Sequence, residues 1–226
     1  MGDAIGQILT PAVGIAISPI PLIAVVLMLA TPRGRTNGTA FALAWAAALS
    51  IVVTIVLVST PGSSASAGDD APATWVLWVK LVFGVLFLVM AVIEWRGRPR
   101  EGAAAEEPGW MKRIDTFTPA KAAALAAALA VANPKNLALA VTSALSIASS
   151  GTTTGGRVSA SVVMIVISSL GTLVPLAVYF LGGARSTRVL GGWKSWMSAH
   201  STAIVMAGLA VLGAKYVGDA VSGLTS

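Results

Sequence analysis

The sequence contains no cysteine, one histidine and nine acidic residues among 226. Without cysteine there are no disulfides, no thiolate chemistry and no cysteine-ligated metal. Charged residues make up 11% of the chain, less than half of the roughly one quarter usual in soluble domains. That leaves too little polar surface for a water-facing globule. Hydrophobic residues account for 56% and the mean hydropathy is +0.83, so the composition points to a polytopic membrane protein. The alternating segments of about ten residues that build a lipid-facing barrel are also missing. The apolar residues instead come in helix-length runs of Ala, Val, Leu and Ile.

Catalytic signatures are absent too. There is no GxSxG, no HExxH and no GxxxxGK[ST], so the expectation is a non-enzyme without cofactor or metal. The net charge of +6 would suggest nucleic acid in a soluble protein. In a membrane protein, basic residues in the cytoplasmic loops explain it, and no nucleic-acid partner is expected. The opening "MGDAIGQILT" lacks a basic leader and a cleavage site, and reads as the start of the first span.

What is present is a set of six apolar runs near the ~20 residues needed to cross a bilayer. They cover about residues 5–30, 38–60, 75–95, 119–149, 158–181 and 201–220. Arg33, Arg35, Arg96, Arg98, Arg100, Lys112, Arg113, Lys121, Arg185, Arg188 and Lys194 fall in alternate loops, and the other loops hold Arg157, Asp69 and Asp70. That bias puts the basic loops in the cytoplasm and both termini outside. The Gly-rich "LGGARSTRVLGGW" is expected to be a loop with basic anchors. In "RGRPREGAAAEEPGWMKRIDTFTPAK", Trp110, Met111, Ile114 and Phe117 repeat at helical spacing. They predict a short helix, either lying on the inner leaflet or capping span four.

Two spans are interrupted. "ISPIPLIAVV" places Ser18, Pro19 and Pro21 in span one, and "ALAVANPKNLALAV" places Asn133, Pro134, Lys135 and Asn136 near mid-depth of span four. Proline removes a backbone donor and clashes with the carbonyl four residues back. Each interrupted span opens a block of three, and an odd block length inverts the second block. Paired breaks in two inverted halves point to a transporter's central site; the alternative is a pair of plain kinks. Lys135 is the sharper signal, because a mid-membrane lysine costs about 3 kcal/mol on insertion scales. No Asp or Glu lies in the middle of any span to pair with it. A buried cation without a carboxylate needs carbonyls, water or an anion from outside, and a substrate phosphate, sulfate or carboxylate would serve. Lys80, in span three, either snorkels to headgroups or gates a path. Arg33 and Arg35, at the inner headgroup level, either bind lipid phosphate or gate. His200 reads as structural.

"PGWMKRIDTFTPAKA" followed by "ANPKNLALA", together with "SPIPLIAVVLMLATPRGRTNGTAFALAW" and "VPLAVYFLGGARSTRVLGGWKSWM", resembles the GAP (glycolipid-addressing protein) family of the LysE (lysine exporter) superfamily. One departure is Ala44 before Trp45, where the family pattern has Gly-Trp. The resemblance implies an all-α, LysE-like fold of six transmembrane helices in two inverted repeats. Residues 1–95 and 119–226 would form the repeats, and 96–118 a cytoplasmic loop with a short amphipathic helix. It further implies an inner-membrane exporter of cell-envelope (glyco)lipids. Ser18, Pro19, Pro21, Asn133, Pro134, Lys135 and Asn136 would bind substrate, with Arg33, Arg35 and Lys80 at the headgroup or gate. The expected partners are membrane lipids, an anionic or glycosylated lipid substrate, and a second copy or an envelope-lipid export complex. A small-solute exporter of amino acids or ions, or a scaffold for lipid export, are the alternatives.

Overall fold

The computed structural model describes residues 2–60, 74–97 and 111–225, which are helical apart from short connections and contain no β-strand. The helices are α1 (Gly2–Ala16), α2 (Pro19–Leu29), α3 (Gly34–Ser59), α4 (Thr74–Arg96), α5 (Pro119–Val131), α6 (Pro134–Ala148), α7 (Thr154–Leu181) and α8 (Ser186–Thr225). Trp110, Asp69, Asp70, Arg98 and Arg100 lie outside the described residues. Four helices, α3, α4, α7 and α8, are long and apolar enough to cross a membrane, and the number reaches six if each bent pair is one span.

The bent pairs are the two interrupted segments. α1 and α2 meet at 44°, and α5 and α6 at 68°. The residue before a proline is pushed out of the helical region. Accordingly, Ser18 is extended at ψ 119° and Asn133 at ψ 113°. Proline alone does not decide the matter, since Pro11 and Pro175 sit inside continuous helices. The two breaks each have a second helix-ending device. Pro21 follows Pro19 at the third helical position of α2, and the Asn133 side chain caps α6 by accepting from the Lys135 N–H at 3.0 Å.

α6 is the axis of the bundle. Twelve of its fifteen residues are buried, so it is not a lipid-facing helix. It packs on α1, α3, α4, α5 and α7. α5 buries only Ala122, Ala126 and Ala130, a single stripe of small residues four apart that lets it lie close to α3. The partners exchange between the two halves of the chain. α1 packs on α7 while α5 packs on α3; α2 packs on α7 and α8 while α6 packs on α3 and α4. α4 and α8 pack on each other across two glycines. A methyl on Gly84 would stand 3.1 Å from the Gly213 carbonyl, and one on Gly213 would stand 2.9 Å from the Gly84 carbonyl.

Two connections differ from expectation. α8 begins fifteen residues before the predicted start at Ser201, so "RVLGGW" is helix rather than loop. Leu190 and Met197 are buried there and Trp193 is partly buried, a spacing of three and seven that forms one face. Gly191 and Gly192 face open space and interrupt nothing. At 1.5 Å per residue, forty residues rise about 60 Å, twice the ~30 Å hydrocarbon core. The segment Met111–Thr116 is a short 3-10 helix that packs on α2. Ile114 is buried, and the Asn37 amide of α3 donates to the Phe117 carbonyl at 2.9 Å.

Candidate functional site at the crossed helix breaks

Ser18 occupies the N-cap position of α2 but does not cap it. A capping hydroxyl bonds the N–H of the second or third helical residue. The third is Pro21, which has none, and the N–H of the second, Ile20, is not taken up by the Ser18 side chain. The hydroxyl works across the bundle instead: it accepts from Lys135 Nζ at 3.0 Å and donates to Asn136 Oδ1 at 2.9 Å. The two breaks, 117 residues apart in sequence, are tied together by one hydroxyl. Asn136 completes the knot by donating through Nδ2 to the Leu129 carbonyl at 3.2 Å. That carbonyl belongs to the last turn of α5, where it has no helical donor.

Lys135 is 5% exposed and Asn136 fully buried. Among the described residues the one ion pair is Lys215–Asp219, so no carboxylate answers Lys135. An ammonium has three donors, and Ser18 Oγ is its one hydrogen-bond acceptor among the described residues. The first turns of α2 and α6 both open here, which adds the positive ends of two helix dipoles. The arrangement is a buried, cationic, donor-rich centre with spare capacity for an anion or a hydroxylated group.

The structure brings Ser18, Asn133, Pro134, Lys135 and Asn136 together, with Pro19 and Pro21 shaping the backbone beside them. It does not bring Arg33, Arg35 or Lys80 there. α2 alone rises about 16 Å over its eleven residues, and Arg33 and Arg35 lie beyond its far end. Arg33 is exposed, and the Arg35 guanidinium lies 5.1 Å from the centre of the Phe180 ring, linking α3 to the end of α7. Lys80 is buried on α4. Among the described residues no group of three or more His, Cys, Asp or Glu could hold a metal.

The sequence reading missed a polar patch on α7. Ser168 and Ser169 are buried, and their hydroxyls have no hydrogen-bond partner among the described residues. Trp45 Nε1 donates to the Ser168 carbonyl at 3.4 Å. Gly171 lies against the carbonyl of Ala16, two residues before Ser18, which places the patch beside the α1 break. The signal was available in "SSLGTLVP", where small and hydroxyl residues cluster inside an oily helix. A second missed pair is Thr142 and Tyr216, whose hydroxyls are 2.7 Å apart. Thr142 stands two turns along α6 from Lys135.

These features define a multi-pass helical membrane protein with a polar, cationic centre where two broken helices cross. The chain belongs to the family of Sap, the sulfolipid-1-addressing protein, whose model matches residues 8–222. Comparison with curated proteins and with solved structures gives no match.

Proposed function

We propose that the chain carries the headgroup of an anionic or glycosylated cell-envelope lipid across the cytoplasmic membrane, without catalysing a reaction on it. The observation that carries this reading is Lys135, buried with a single neutral hydroxyl as its hydrogen-bond partner among the described residues. A lysine with only a structural role would be expected to have its three donors satisfied by carbonyls. Spare donors at the crossing of two helix breaks suit a ligand that comes and goes. Membership of a lipid-addressing family supports a lipid over an amino acid or an ion as the cargo. Ser18 and Asn136 would position Lys135, and Ser168 and Ser169 would extend the site toward sugar hydroxyls. The test is to compare inner-membrane and surface-exposed lipid in strains with and without the chain. Unchanged sidedness of every envelope lipid would overturn the reading.

The same proposal takes the architecture as six spans in two inverted three-helix repeats, LysE-like, with the GAP proteins as relatives. Residues 1–95 and 119–226 would be the repeats, joined by the cytoplasmic segment 96–118. The exchanged helix partners and the reciprocal Gly84–Gly213 approach support this. Both termini would lie outside, and the working unit would be a second copy or an export complex. Because the native chain has no cysteine, single introduced cysteines report sidedness cleanly. Thr154→Cys is expected to react with an impermeant maleimide from outside, and Thr187→Cys only after the membrane is opened. The reverse pattern would invert the topology.

A further inference from the structure

Away from the helix breaks, α4 and α8 enclose a second cationic group. The two helices run antiparallel with a readable register. A methyl on Gly223 would touch Leu77 at 2.8 Å, and one on Gly84 would touch the Val217 backbone N at 2.8 Å. Lys80 lies between these two contacts, which sets it opposite Asp219 and Ala220. Lys80 is 8% exposed, so its side chain is packed in the protein rather than extended into the surroundings. Asp219 is the acidic group facing it, and Lys215 is a second cation. The Asp219 carboxylate is already held by Lys215 Nζ at 2.6 Å. No carboxylate among the described residues lies within ion-pair distance of the Lys80 ammonium, and no hydrogen bond to it is formed there. Two cations therefore share one anion, an excess of one positive charge in a partly dehydrated place. The Lys215 and Asp219 side chains are 33% and 38% exposed, so the cluster opens to its surroundings.

Depth narrows the class of ligand. Lys80 is six residues from the start of α4, and Asp219 six residues from the end of α8, about 9 Å along each helix. Trp75 and Trp78, on the same stretch of α4, are 47% and 55% exposed. Exposed tryptophans gather at the level of lipid headgroups. We propose that Lys80, Lys215 and Asp219 form a binding site for a single oxyanion, the phosphate or sulfate of a lipid headgroup, at the end of the bundle where α4 begins and α8 ends. Lys80 supplies the contact, Lys215 the second positive charge, and Asp219 limits the site to one negative charge.

The charge arithmetic gives the test opposite signs at two positions. The full chain is reconstituted in vesicles of phosphatidylcholine and phosphatidylglycerol, and the lipids retained after extraction are counted by native mass spectrometry. Wild type is expected to retain phosphatidylglycerol selectively. Lys80→Gln should lower that retention about tenfold, the loss of one charge-assisted hydrogen bond. Lys215→Gln frees Asp219 to neutralise Lys80 and should lower it similarly. Asp219→Asn removes the competing anion and should raise it. A second arm adds sodium phosphate to phosphatidylcholine vesicles. Thermal stabilisation of wild type but not of Lys80→Gln would assign the site to a free oxyanion, and its absence beside selective phosphatidylglycerol retention would assign it to the headgroup. If Lys80→Gln does not fold, the opposed effects of Lys215→Gln and Asp219→Asn decide the matter alone. Equal retention by wild type and all folded variants, with no phosphate effect, overturns the proposal and leaves Lys80 as a structural cation.

Discussion

Lys135→Ala is expected to abolish export while leaving a folded protein. Among the described residues the side chain is the centre's only full charge, and its one hydrogen bond there is to Ser18. Losing a charge-assisted hydrogen bond to a headgroup costs about 1.5–3 kcal/mol, which weakens binding roughly tenfold to a hundredfold. Stability should move the other way or hardly at all. Alanine removes a buried cation that costs about 3 kcal/mol to place at mid-membrane. The cap of α6 also survives, because Asn133 bonds the backbone N–H of residue 135 and not its side chain. Lys135→Glu should be worse for export, since a carboxylate repels an anionic headgroup and confronts Asn136 Oδ1 across the Ser18 hydroxyl. Lys135→Arg keeps the charge and should retain part of the activity. The measurement is surface-exposed lipid normalised to folded, extracted protein. Export at the wild-type level by well-folded Lys135→Ala would remove the headgroup role and leave the motif as a kink.

The breaks at Pro19 and Pro134 were legible because a missing backbone N–H is a local property, written in the residue itself. The isolation of Lys135 from carboxylates was legible for a similar reason, since no span offers an Asp or Glu near its middle. What joins the breaks was not. Pro21 removes one of the two donors a Ser18 cap could use, but Ser18 reaches Lys135 and Asn136 because tertiary packing sets α1 against α6. Local sequence carries the first fact and not the second. The early start of α8 was hidden by Gly191 and Gly192, which favour a loop on propensity and are overruled by the buried face of Leu190 and Met197. The unbonded hydroxyls of Ser168 and Ser169 were not legible, because hydroxyls in a membrane helix ordinarily bond the carbonyl one turn back. Their lack of a partner among the described residues is a property of the packed bundle.

Gly171→Ala is expected to be among the most damaging conservative changes in the chain. A methyl group there would run into the backbone carbonyl of Ala16, with the Ala16 carbonyl carbon at 3.1 Å. A flexible side chain could turn aside, but a backbone carbonyl at the end of α1 cannot. α1 and α7 must separate, and with them Ser18 moves from Lys135. Overpacking of this kind costs typically 1–3 kcal/mol and occasionally more, and the backbone collision puts this case near the upper end, about 3 kcal/mol. Gly208 provides the opposite sign on the same chemistry. It lies inside α8, and among the described residues an added methyl would meet nothing within 4 Å beyond its own stretch of helix, so Gly208→Ala should stabilise by up to about 1 kcal/mol through the helix preference for alanine. Thermal unfolding of the two variants in one detergent separates contact from propensity. Equal shifts of either sign would mean that the α1–α7 approach is not what holds the break in place. If Gly171→Ala folds at a lowered melting temperature, its export should fall further than its folded fraction does. The break would still form, but Ser18 would no longer hold Lys135 at the crossing.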